Sequence, residues 1–260
     1  MGSTTDLDDD HSALDVDDQL FANSAATATA PIKVPEEGVP DGFNKNVRVE
    51  DRDGLAIFEG DIVLGNLDAP VAKGIGIVGE RFRWPNGVVP YEADAEVAAL
   101  ARAAAQHWEQ RTNGRIRFVP RTNAHQDWIH VKRLNGSWSH VGRQGGEQEL
   151  SLGISATVGT AVHEFGHALG LWHEQSRGDR ERHVTVNLDK VHPDNRHNFD
   201  KHIADGFDIG DYDFGSIMHY PRTAFSTDGS DTIVTRGGQP IGQRNGLSAG
   251  DLAAIARLYP

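Results

Sequence analysis

One run of eleven residues constrains this chain more than any other feature: His163-Glu164-Phe165-Gly166-His167-Ala168-Leu169-Gly170-Leu171-Trp172-His173. On a helix, residues four apart share a face, one turn apart. His163 and His167 can therefore hold one metal ion. Glu164 is displaced by about 100° around the axis. It can reach a water on that metal without being a ligand, the arrangement a metal-assisted hydrolase needs. His173 comes six residues after His167. Continued as helix, it would lie roughly 9 Å further along and on another face. A shared metal demands a sharp break, and Gly170 is the residue that tolerates a left-handed helix end. Three neutral imidazoles leave a position open for water, as catalytic zinc sites do. With 13 histidines in the chain, a lone pair four apart would carry little weight, but the full pattern is hard to reach by chance. His183, His192, His197 and His202 are spaced irregularly in polar surroundings and read as surface residues.

A second element lies downstream, Ser216-Ile217-Met218-His219-Tyr220. A Met flanked by turn-forming residues can floor a three-histidine site. Tyr220 then brings a phenol near the metal, either as a resting ligand or as a hydrogen-bond donor to a developing oxyanion.

The absence of cysteine excludes thiol nucleophiles, disulfides and thiolate zinc sites, though not secretion. No apolar run approaches the ~18 residues of a membrane span, so a soluble protein is expected. The net charge of -13 sits at the front: residues 1–74 carry 16 acidic and 5 basic side chains, residues 75–260 carry 22 and 20. The larger part is nearly neutral, with no basic stripe for nucleic acid. Residues 1–30, with seven Asp by position 18, read as a disordered acidic leader. Residues 31–74 read as a segment that lies on another surface, with apolar stretches at Leu55–Phe58 and Ile62–Leu64. Gly74, Gly76 and Gly79 match a dinucleotide-binding pattern, but Trp84-Pro85 follows where a helix is needed, so they read as a loose junction. Periodicity predicts helices over Ala95–Arg111, Val158–Leu169 and Leu247–Leu258, the last with Ser248 as N-cap and Asp251 at its third position. Val191–His202 is a further helical candidate. Strands are predicted at Val88–Tyr91, Ile116–Val119, Trp128–Val131 and Glu149–Leu152.

At the histidine run, extended through Glu174-Gln175-Ser176-Arg177-Gly178-Asp179-Arg180, the chain resembles the astacin family of metzincin zinc endopeptidases. Glu174 directly after the third histidine, and the Tyr ending Ser216–Tyr220, are similar to that family's distinguishing positions. Trp84–Tyr91, Trp138–Gly146, Ile241–Gly246 and Leu258-Tyr259 also resemble family segments. The resemblance implies an α+β zincin fold over residues 75–260. Its N-terminal subdomain would hold a twisted mixed sheet and two long helices, its C-terminal one mostly irregular chain and a final helix. It implies one catalytic Zn2+ on His163, His167 and His173, with Glu164 as general base and Tyr220 on the oxyanion. Phe58-Glu59-Gly60-Asp61 is similar to a propeptide motif, which would make residues 31–74 inhibitory, with Asp61 a zinc ligand in the latent form only. Activation would cut near Ile75 and link the new amino terminus through water to Glu174.

The family usually has two disulfides and this chain has none, so its loops must be held by packing. The signature's last acidic position is Glu181 in place of Asp. The expected reaction is peptide-bond hydrolysis in protein or peptide substrates by a secreted monomer needing an activating protease, with no nucleic-acid or membrane partner. Gln148–Gly153 is a candidate edge strand for extended substrate. Arg222 would favour an acidic residue just after the scissile bond. A non-catalytic adhesion module on the same scaffold is the rival reading, against which intact Glu164 and Tyr220 argue.

Overall fold

A computed structural model describes residues 29–35, 44–67, 80–201 and 208–260. The expected leader (except Thr29 and Ala30), the Gly74–Gly79 junction, the cleavage position near Ile75, and His202 lie outside the described residues.

The described residues build one nine-stranded sheet and a two-stranded one. Its strands are β1 Thr29–Pro35, β2 Asn44–Arg52, β3 Leu55–Phe58, β4 Ile62–Asn66, β5 Val88–Ala93, β6 Arg117–Pro120, β7 Trp128–Lys132, β8 Trp138–Ser139 and β9 Glu147–Ser151; β10 Val184–Val186 and β11 Ile233–Thr235 form the small sheet. The helices are α1 Ala98–Arg111, α2 Val158–Ala168 and α3 Ala249–Leu258. The large sheet runs β1-β2-β3-β4-β8-β9-β7-β5-β6. β5, β6, β7 and β9 are parallel to their neighbours among themselves, and α1 makes the crossover that the β5–β6 pair requires. β8 runs antiparallel to β9, which gives the mixed sheet. β9 is therefore an interior strand; the expectation that it forms a free edge for substrate is corrected, because β8 covers it.

β1–β4 are antiparallel hairpins that continue the sheet, β4 pairing parallel to β8 through Ile62 and Ser139. Alternation along β3 and β4 buries both faces. Ala56, Phe58 and Ile62 join the main core, while Ile57 and Val63 pack on Trp138. The chain reverses between these strands at Glu59 and Gly60, with φ of 50° and 78°.

α1 turns Ala101, Ala104, Ala105 and Trp108 inward. Small residues let it approach α2, and Trp108 Nε1 donates to Val162 O at 3.0 Å. α3 starts at the predicted cap, where Ser248 and Asp251 satisfy each other's backbone N–H. Among the described residues, the C-terminal part is irregular apart from β10, β11, α3 and short 3-10 segments. It packs around a second cluster containing Val184, Phe199, Tyr212, Tyr220, Phe225 and Ile233. The predicted helix over Val191–His202 is only a 3-10 turn at Pro193–Phe199. His197, expected on the surface, is buried in that turn, where Asn195, Asn198 and Phe199 face inward with it; His192 is exposed.

On β7, His130 bridges two neighbours: Nδ1 lies 2.8 Å from Glu147 on β9, and Nε2 lies 3.0 Å from Asp94 just after β5. Burial works against the charged ring, but the two carboxylates outweigh it and raise its pKa above 6.5. Its contribution to stability is full below the unfolded value and is lost as pH rises through the folded one. The melting temperature of His130→Gln should therefore fall further below wild type at pH 5.5 than at pH 9; an equal difference at both would refute this coupling.

Candidate metal centre

α2 begins at Thr157, whose hydroxyl accepts from Thr160 N while Thr160 Oγ1 accepts from Thr157 N. Every residue of the helix after Val158 is buried. It ends in a Schellman closure: Gly170 stands at φ 109°, Gly170 N donates to His167 O at 2.7 Å, and Leu171 N donates to Gly166 O at 3.0 Å. The turn that stops the helix also orients a ring on it, since Leu171 O accepts from His167 Nδ1 at 2.8 Å. His173 then returns towards α2 and precedes a 3-10 turn at Glu174–Ser176.

Four ligand-type atoms, from Asp61, His163, His167 and His173, lie within 4.8 Å of one another, all buried. Asp61 Oδ2 is 3.2 Å from Nε2 of both His163 and His173, and Oδ1 is 3.7 Å from His167 Nε2. Each Nδ1 is engaged at 2.8 Å: His163 with Ile217 O, His167 with Leu171 O, His173 with Glu59 Oε2. A carbonyl only accepts, so His163 and His167 carry their proton on Nδ1 and present a bare Nε2. Burial, first among the causes, holds both rings below their ordinary pKa. These nitrogens face the Asp61 carboxylate acceptor to acceptor, and Asp61 Oδ1 and His167 Nε2 are buried without a hydrogen-bond partner. A cation at the middle reconciles the set, and three imidazoles with one carboxylate suit zinc. The electrostatics agree. Burial would lower the His173 pKa, but the Asp61 and Glu59 carboxylates raise it to about 9. Burial would raise Asp61, yet His173 and the ring hydrogen bonds hold it well below the usual carboxylate range.

Glu164 is buried beside the first histidine, with Oε2 lacking a hydrogen-bond partner. Burial and then the Asp61 charge push its carboxyl well above the usual range. Tyr220 lies with its ring centroid 4.5 Å from that of His173, and its hydroxyl donates to the backbone carbonyl of Glu59. Its backbone is gripped on both sides: Tyr220 N donates to Gln175 Oε1 at 3.0 Å, and its carbonyl accepts from His219 Nδ1 at 2.8 Å. Tyr212 fixes that tautomer by donating to His219 Nε2 at 2.7 Å.

Met218 packs against α2 so closely that a methyl at Gly166 would come 2.6 Å from its Sδ. Glu174 N donates to Met218 O at 3.1 Å. The Glu174 side chain accepts from Asp213 N at 2.7 Å, lies 3.6 Å from Arg177, and is raised by burial to about 8. It borders a cavity of about 90 Å³ with Asp211, Asp213 and Asp251. Arg222 is exposed and paired with Asp231, beside a separate cavity of about 340 Å³ lined by Ile233, Gln239 and Pro240.

Sequence reasoning did not single out Glu59, Gln175, Ser176 or His219, nor Asp251 beyond its cap. The signal for Glu59 was its place one residue before Gly60 in the same motif as Asp61. Gln175 and Ser176 directly follow the third histidine. Asp251 accepts from Ser216 Oγ at 2.6 Å, Ile217 N at 3.0 Å and Ser248 N at 2.9 Å, so it fastens the Met218 turn to α3.

Fold and centre together are those of a zincin-type metal protein. Residues 77–260 match the peptidase family described as Astacin, and the chain belongs to the astacin family. It is 41% identical over 179 residues to high choriolytic enzyme 1 of Oryzias latipes, covering 66% of each chain. The structure of that hatching enzyme zinc-protease aligns with a TM-score of 0.60 at 40% identity, over 68% of this chain and 92% of the other. Protein SpAN of Strongylocentrotus purpuratus is 36% identical over 258 residues, and human meprin A subunit beta 38% over 216. The chain spans 91% of itself but only 41% of SpAN, and 79% of itself but only 30% of the meprin subunit. Among the described residues no helix is long and apolar enough to cross a membrane.

Asp251→Ala should remove about 2–4 kcal/mol of stability, since it strands buried donors, and should weaken zinc binding. Urea unfolding and zinc titration test this; unchanged zinc affinity would mean that the Met218 turn holds without α3.

Proposed function

We propose that the chain is the latent form of a secreted, monomeric zinc endopeptidase, with residues 31–74 inhibitory and residues 75–260 catalytic. The carrying observation is that Asp61, from the β3–β4 turn, shares one centre with His163, His167 and His173. Bound zinc would polarise a water and the scissile carbonyl of a protein substrate. Glu164 takes the proton of that water and returns it to the leaving amine. Loss of Asp61 removes the second of the two causes that raise the Glu164 pKa. The Tyr220 hydroxyl, released from Glu59, donates to the oxyanion. The edge of β8, released from Ile62, pairs with extended substrate. Arg222 would favour an acidic side chain just after the scissile bond, a preference tempered by its pairing with Asp231.

Activation is a cut near Ile75 by another protease. The cavity beside Glu174, bordered by further carboxylates, supports burial of the new ammonium there. The nearly neutral larger part supports neither nucleic acid nor an anionic membrane as partner.

Glu164→Gln should keep one zinc per chain by metal analysis while the cleaved enzyme loses about 10²–10⁴-fold in casein hydrolysis. Retained activity would sink the base assignment. Asp61→Ala should hydrolyse casein weakly before any cut, below the cleaved enzyme because Glu59 still engages Tyr220 and β4 still covers β8, whereas the uncut wild type should be silent. An Asp61→Ala chain as silent as wild type would overturn the latency reading.

A further inference from the structure

Each histidine of the centre has an outer hydrogen-bond partner, and one partner differs in kind. His163 and His167 donate to backbone carbonyls. His173 donates to a carboxylate, Glu59 Oε2, at 2.8 Å, and among the described residues its Nδ1 has no other partner. Glu59 is fully buried. Its second oxygen accepts from Ser176 Oγ at 2.5 Å, and its carbonyl accepts from Tyr220. Its φ of 50° lies in the left-handed region that a non-glycine residue rarely occupies, so the contacts on every side hold it there. A carboxylate behind a ligating imidazole fixes the ring and makes its other nitrogen a stronger donor; losing such a partner typically costs 10–100-fold in metal affinity.

We propose that Glu59 is a positioning residue for the metal, so that the uncleaved chain binds zinc more tightly than the cleaved one. This rests on the zinc and latency readings above. Asp61 supplies a fourth ligand from inside the centre; Glu59 acts from outside, through His173. Both lie in the front segment and leave with it. Cleavage thus exposes the centre and also removes the carboxylate that strengthens its third histidine.

The test uses the full uncleaved chain as wild type, Glu59→Gln and Glu59→Ala, each loaded with zinc and titrated with a chromogenic zinc chelator. Glu59→Gln keeps an acceptor of the same shape and should bind zinc about 10–100-fold more weakly; Glu59→Ala should bind more weakly still. In the cobalt(II)-substituted chains the visible bands should shift with the weaker donor, which a purely structural Glu59 would not cause. After cleavage all three precursors yield the same catalytic sequence, so equal kcat/KM and zinc content confirm that each folded its centre. Zinc affinity in Glu59→Gln within about twofold of wild type, with unshifted cobalt bands, overturns the proposal. That result leaves the wider reading intact provided the wild type binds one zinc and Asp61→Ala is active uncut. A wild type that takes up no zinc would instead overturn the wider reading.

Discussion

The structure depends on where three imidazole protons go. Each Nδ1 must be given away before the Nε2 atoms can converge, and the recipients come from three parts of the chain. Leu171 is four residues from its histidine, Ile217 is 54 residues away and Glu59 is 114 away. The helix stop, the C-terminal lobe and the front hairpin therefore meet at one cluster. The packing elsewhere serves this convergence. Gly166 admits Met218 against α2, Asp251 fastens the turn that carries Ile217, and the β4–β8 pairing sets Asp61 in place through Ser139 N, which donates to Asp61 O at 2.8 Å.

Much of this was legible in the residues because it is local. The i, i+4 histidines, the stop at Gly170 and the Ser248–Asp251 cap each depend on a few bonds within one turn of chain. Strand order was not legible. Nothing within Glu147–Ser151 tells that Trp138 and Ser139 pair along its outer side and that β4 continues the sheet beyond them. His197 misled for a related reason: its polar neighbours suggest exposure, but the tight 3-10 turn directs Asn195, Asn198 and Phe199 inward with it. Glu59 could be read only once its hairpin lay against Ser176 and Tyr220, since no spacing rule connects positions so far apart. The resemblance carried Asp61, whose bare sequence context is that of a surface turn.

Without disulfides, the irregular C-terminal half needs other ties. It has an aromatic cluster in which Phe199, Tyr220 and Phe225 meet at ring-centroid distances of 5.7 to 6.0 Å. Arg177 adds a forked pair to Asp179 and bonds to the carbonyls of Ile209 and Gly210. Aromatic pairs beyond their buried area contribute about 0.5–1.5 kcal/mol each, and a disulfide typically about 2–4 kcal/mol. Several such pairs with a buried guanidinium fork are of comparable size.

The Asp251 link has a consequence in time. A ribosome delivers this chain from the front, and segments fold as they emerge. The β3–β4 hairpin is made before α2, and α3 comes last. The turn bearing Ile217, which orients His163, has its anchor only when α3 is present. The centre is thus completed at the close of synthesis, long after Asp61 has joined the chain. No stage of biosynthesis offers a finished centre without the carboxylate that covers it.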